Sequence, residues 1–100
     1  MKVDFSRTLK ALDGSDLTED GSDVILGQVC IGALMGVMNE EHADGQAKFS
    51  RYLLAERLFK GGVVEVTAEE ISLLKERIGQ GYSPAVVGPA YRLLEGQETA

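Results

Sequence analysis

Between Leu12 and Asp23 the chain reads LDGSDLTEDGSD. Five carboxylates (Asp13, Asp16, Glu19, Asp20 and Asp23) share this stretch with two glycines and no base. Oxygen ligands at this density suggest calcium, so the loop can be tested against the twelve-residue calcium loop. That loop needs oxygens at positions 1, 3 and 5, glycine at 6 and a bidentate Glu at 12. Counting from Asp16, the chain supplies Asp16, Thr18, Asp20 and Gly21 in register, but position 12 is Gly27. The closing ligand is missing, so the stretch reads as a solvated turn or as an acidic surface offered to a basic partner.

The remaining reactive residue types are sparse. His42 is the only histidine and Cys30 the only cysteine, whereas a structural zinc site wants four nitrogen or sulfur ligands. A Cys–His nucleophile would need an accessible, activated thiol, yet Cys30 lies inside an apolar run where a thiol behaves as a small hydrophobe. Neither a phosphate loop, GxGxxG nor GxSxG occurs. Adjacent carboxylates such as Glu69 and Glu70 point apart on a helix, and their place in a first turn is explained by the helix dipole. These residues predict a non-enzymatic protein with no cofactor and no metal site.

Composition narrows the partners. The 100 residues suit one small domain with a single core. Apolar residues make up 44 %, enough to offset chain entropy, so wholesale disorder is excluded. The net charge is −6, and half of it falls in residues 1–26, where Lys2, Arg7 and Lys10 face Asp4, Asp13, Asp16, Glu19, Asp20 and Asp23. Lys48, Arg51, Arg57 and Lys60 are interleaved with aromatics and could touch phosphates. They share their segment with Glu56, so an amphipathic surface helix is the better reading. Direct nucleic-acid binding is not expected, because it needs clustered bases. Membrane insertion is not expected either. The longest apolar run, Val24 to Met38, is shorter than the roughly 20 residues a bilayer needs, and MKVDFSRTLK lacks the apolar centre of a secretory signal. A lone cysteine fits a reducing, cytoplasmic setting.

The elements that would position these residues read as mainly α. The first 26 residues form a short β-hairpin and acidic loop. Asp13-Gly14 marks a tight turn, with the return strand either at Ser15–Leu17 or delayed to Val24–Leu26. Residues 27–38 form a buried helix in which Gly32 and Gly36 share a face, either suited to close helix approach or a merely tolerated weakness. After the polar linker 39–45, Asp44 caps a helix over 46–60. Phe49, Tyr52, Leu53, Ala55 and Phe59 would form its apolar face, with Lys48, Arg51, Glu56, Arg57 and Lys60 on the wet one. Thr67-x-x-Glu70 is a capping box, with Val66 and Ile71 as a staple and Gly79 as the stop. Ser83 and Pro84 open a last helix to about Glu95, which Pro89 either kinks or restarts; residues 96–100 are a tail. The expected fold is one α+β domain of three to four helices with an N-terminal hairpin.

The segments VILGQVCIGALM, KFSRYLLAERL and VTAEEISLLKERIGQGYSPAVVGPAYRLLEG, in this order, resemble small proteins encoded by tailed phages and prophages. The similarity covers most of the chain, and its motifs are structural rather than catalytic. The resemblance implies action in the host cytoplasm, with two uses open. One is an inhibitor of the anti-CRISPR type that binds a host protein or ribonucleoprotein complex with a basic surface. Asp13, Asp16, Glu19, Asp20 and Asp23 would make the contact, and Glu40 and Glu41 would form a second patch. The other is a morphogenesis protein (an assembly chaperone or small structural subunit) that packs through the 27–38 helix, where homo-oligomerisation would also occur.

Overall fold

The computed structural model describes residues 1–38, His42 and residues 44–96. Its elements are β1 (Lys2–Asp4), β2 (Thr18–Glu19), β3 (Ser22–Asp23), α1 (Leu26–Met35), α2 (Gly45–Phe59), β4 (Val63–Glu65), α3 (Ala68–Gly81) and α4 (Pro84–Leu94). The described chain is therefore mainly α, with four helices and a short antiparallel hairpin, β2–β3, near the N-terminus. A second antiparallel pair joins β1 to β4 with Val3 opposite Val64, so a strand interrupts the stretch 27–95 that reads as helical.

The two Asp-Gly pairs of the acidic stretch, Asp13-Gly14 and Asp20-Gly21, make turns of different kinds. At the first, the Gly14 amide donates to the Ala11 carbonyl and the Ala11 amide to Ser15, with Gly14 at φ +87°. This is a three-residue loop whose left-handed last position suits glycine. At the second, Asp20 (φ +53°) and Gly21 (φ +82°) are both left-handed, as a type I′ hairpin turn requires. Neither candidate return segment forms a strand, but each makes an isolated bridge to the first pass: Lys10 pairs with Asp16, and Thr8 with Ile25. The three chain passes meet in a ring of amides. Leu9 donates to Val24, Leu17 to Leu9, and Val24 to Leu17, at 2.8–2.9 Å.

α1 has no side-chain cap at Ile25. Its first amides instead find backbone partners, Leu26 donating to the Arg7 carbonyl at 2.9 Å and Gly27 to that of Phe5 at 2.8 Å. A Cβ at Gly27 would lie 2.9 Å from that Phe5 oxygen, so the close approach requires glycine. The helix stops at Met35, short of the expected Met38. Gly36 is extended and serves as its C-cap, so Gly32 and Gly36 do not form one helical face. Gly32 instead leaves room for Tyr82, whose hydroxyl would lie 2.7 Å from an added Cβ.

α2 is capped as its sequence indicates, the Asp44 carboxylate accepting from the Ala47 amide. Its orientation differs from expectation. Arg51, Leu54, Ala55 and Leu58 are buried, whereas Phe49, Tyr52, Leu53 and Phe59 are exposed. The helix carries two apolar arcs, and the one that packs on α1 is the aliphatic one. Arg51, assigned by type to the wet face, is only 8 % exposed.

α3 carries both arms of the Thr67–Glu70 capping box. It runs past Gly79 to Gly81, so Gly79 is an interior residue. A Cβ there would fall 2.6 Å from the Tyr91 hydroxyl, and that hydroxyl donates to the Lys75 carbonyl. Tyr91 thus fastens α4 to α3 where glycine leaves room for it. α4 continues through Pro89. Gly88, without a Cβ, relieves part of the clash a proline ring imposes on the residue before it. Phe5, Leu9, Leu26, Leu34, Leu58, Leu74 and Ile78 are among the side chains that fill the centre.

Candidate interaction surface

All five carboxylates of the 12–23 stretch are exposed, but they are not equivalent. Asp13 accepts from the Ser15 hydroxyl at 2.6 Å and from its amide at 3.0 Å. These bonds, the hydroxyl first, hold the Asp13 carboxyl below the usual carboxylate range. Asp16 is ion-paired with Lys10 across the first turn, so part of its charge is met internally. Glu19, Asp20 and Asp23 sit on or beside the type I′ turn of the β2–β3 hairpin. A turn with two left-handed residues fixes where these three side chains emerge. The structure thus splits the predicted acidic patch into two acids engaged in their own turns and three carried on a hairpin. Glu40 and Glu41 lie outside the described residues.

Cys30 is fully buried, and burial pushes its thiol up to about 12. The thiolate fraction near neutral pH is negligible, and nucleophilic or metal chemistry needs the thiolate. His42 is exposed. Among the described residues, no three His, Cys, Asp or Glu side chains converge on a metal-sized site. No helix among them is long and apolar enough to cross a membrane.

Two surface features escaped the sequence reading. The first is an open groove of about 1010 Å³ between the 7–17 segment and α4. Leu12, Pro84 and Pro89 contribute apolar lining, and Arg7, Lys10 and Arg92 contribute positive charge. No sequence pattern marks it, because its two walls lie far apart in the chain. The second is the outward arc of α2, where Phe59 is 81 % exposed and Phe49 53 %. Its residues Phe49, Tyr52, Leu53 and Phe59 read by type as the face turned to the core, so the sequence marks the arc but not its direction.

Comparison with known protein families, with curated proteins and with solved structures finds no match to this chain.

Proposed function

We propose that the chain is a non-enzymatic binding protein that docks its acidic hairpin on a Lys/Arg-rich surface of a host nucleic-acid-handling complex and blocks that surface stoichiometrically. The phage-encoded, anti-CRISPR type of inhibitor is the closest description. The observation that carries the reading is the hairpin: Asp20 lies in a turn whose backbone it sets with Gly21, and Glu19 and Asp23 are exposed on the strands that flank it. Carboxylates placed on a fixed backbone can substitute for phosphates in a basic groove, and they steer association over a Debye length of roughly 8–10 Å. Asp13 and Asp16 support this array by holding the neighbouring turn, a narrower role than direct contact by all five acids.

The test compares the native chain with a Glu19→Gln, Asp20→Asn, Asp23→Asn variant as bait in host lysate, at low and high salt. Asn tolerates the left-handed position of Asp20, so the hairpin keeps its shape while its charge is removed. The expected result is capture of an identifiable nucleic-acid-binding complex that is released by added duplex DNA, weakens with salt and is lost in the variant. Equal capture by both baits, or capture indifferent to DNA and salt, would refute the reading.

A further inference from the structure

The groove between the 7–17 segment and α4 inverts the charge balance of the chain. Overall, acids outnumber bases by sixteen to ten, yet the groove is lined by three bases, Arg7, Lys10 and Arg92, and by one acid, Asp13. The Asp13 carboxylate is engaged within its own turn, by the hydroxyl and amide of Ser15. Among the described residues Arg92 has no ion-pair partner.

The α4 wall is built from Ala85, Gly88, Pro89 and Arg92, which share one helical face at three-four spacing. It bears no long side chain before the guanidinium of Arg92. An added Cβ at Gly88 would meet nothing within 4 Å, so a bound group can settle onto the helix backbone there. Pro89 has no amide to donate to the carbonyl of Ala85, which leaves that helical bond unmade on the same wall. From the 7–17 segment, Leu12 contributes a fully exposed side chain, and Lys10 pairs with Asp16 at 2.5 Å.

We propose that this groove binds an extended acidic peptide segment of a partner protein, with an apolar side chain beside its carboxylates. Charge selects the carboxylates, which Arg7, Lys10 and Arg92 attract. Leu12, Pro84 and Pro89 receive the apolar side chain, and the Ala85 carbonyl can accept from a peptide amide. The lining separates a peptide from a nucleic-acid strand, because it contains no aromatic ring on which a base could stack. A volume of about 1010 Å³ lies at the upper limit of the roughly 300–1,000 Å³ of small-molecule pockets, and the groove is open, which suits a chain segment better than a compact ligand. Asp16 acts as an internal competitor, since an incoming carboxylate must share Lys10 with it. The site does not use Glu19, Asp20 or Asp23, and it stands or falls independently of the function proposed above.

Selection from a displayed library of random hexapeptides, on the whole chain as bait, tests the site. Peptides that combine Asp or Glu with a large aliphatic residue should be enriched, and a Gly88→Leu bait should lose them. The added side chain enters open space, so the thermal midpoint of that variant should be kept. Fluorescence anisotropy with the most enriched peptide then reads the charges. Arg92→Gln, which alters an exposed side chain, should bind about two- to fivefold more weakly, the range of one exposed ion pair. Asp16→Asn should bind more tightly by a similar factor, a gain that a merely structural Lys10–Asp16 pair does not produce. Unchanged affinity in both variants overturns the proposal. So does a selection that enriches nothing, that enriches basic peptides alone, or whose acidic peptides are held equally by the Gly88→Leu bait. A single-stranded oligothymidylate that binds the native chain and not the Gly88→Leu chain, with no acidic peptide enriched, overturns it as well.

Discussion

Arg77 donates from Nε to the carbonyl of Ala33 at 2.9 Å, and its Nη2 reaches the carbonyl of Gly36 at 2.6 Å. Both acceptors belong to the C-terminal end of α1, whose last turn contains no base of its own. α3 therefore supplies the cation and the donors that the free carbonyls of α1 require. Replacing Arg77 with Met should cost about 2–4 kcal/mol, because it leaves buried acceptors unsatisfied. Lys keeps the charge but cannot span two carbonyls with a planar fork, so it should recover only part of that loss. Urea denaturation of the two variants checks the order.

Two backbone substitutions should move stability in opposite directions. Gly27→Ala places a methyl group 2.9 Å from the Phe5 oxygen, and the Gly27 amide is bonded to that same oxygen. The usual helix-interior gain of about 1 kcal/mol for Gly→Ala should become a loss of about 1–3 kcal/mol from overpacking. Pro89→Ala restores an amide inside α4 and removes the ring from the Ala85 carbonyl, so it should stabilise the protein by about 1–3 kcal/mol. Thermal midpoints of both variants settle the signs.

The buried thiol predicts an alkaline limit. Cys30 ordinarily titrates near 9.0 and is raised to about 12 in the fold. Between these values the unfolded chain has lost its proton and the folded chain retains it, so folding stability falls as pH rises through that window. Below about pH 9 the contribution is intact. Cys30→Ala should flatten this part of the stability–pH curve. Reaction with a thiol reagent at neutral pH should proceed at the rate of unfolding, not at that of a free thiol.

The start of α3 predicts an acid limit. Partial burial pushes Glu70 up, but its bonds to Arg57 and the Thr67 amide outweigh this and hold its carboxyl below the ordinary range. A depressed carboxylate stabilises the fold above its unfolded pKa, and that contribution is lost as pH falls through the folded value. Glu70→Gln should remove part of the acid-side decline in stability. Thr67→Ala, which deletes the reciprocal arm of the box, should cost about 0.5–2 kcal/mol at neutral pH. Denaturation at a series of pH values separates the two effects.

What could be read from the residues alone was local. Asp44 and the Thr67–Glu70 box mark helix starts through side-chain bonds within one turn, and Pro84 marks one through its fixed φ; Ser83 holds the N-cap position there without a side-chain bond. Asp13-Gly14 and Asp20-Gly21 mark turns for the same reason. The orientation of α2 was not legible, because Leu54 with Leu58 and Phe49 with Phe59 make two arcs of similar apolar character. Which arc faces inward depends on the shape of α1, and no property of α2 encodes that. Gly79 reads as a stop from its own helix alone, because its purpose, room for Tyr91, lies on another helix. Within the acidic stretch the residue types were legible, but Lys10 meeting Asp16 and Ser15 engaging Asp13 depend on the folded turn. They separate three outward acids from two structural ones.

The ring of amides linking Leu9, Leu17 and Val24 gives the acidic segment an unusual mechanical status. Each of the three chain passes is held by both of the others, and the first continues into the carbonyls of Phe5 and Arg7 that receive the opening amides of α1. The tip therefore cannot peel away as a separate flap. Opening any one pass frees an amide in another and uncovers the first turn of α1. In hydrogen–deuterium exchange these amides should behave as one cooperative unit with that turn, and a load pulling on the hairpin tip would be transmitted straight into the helical body.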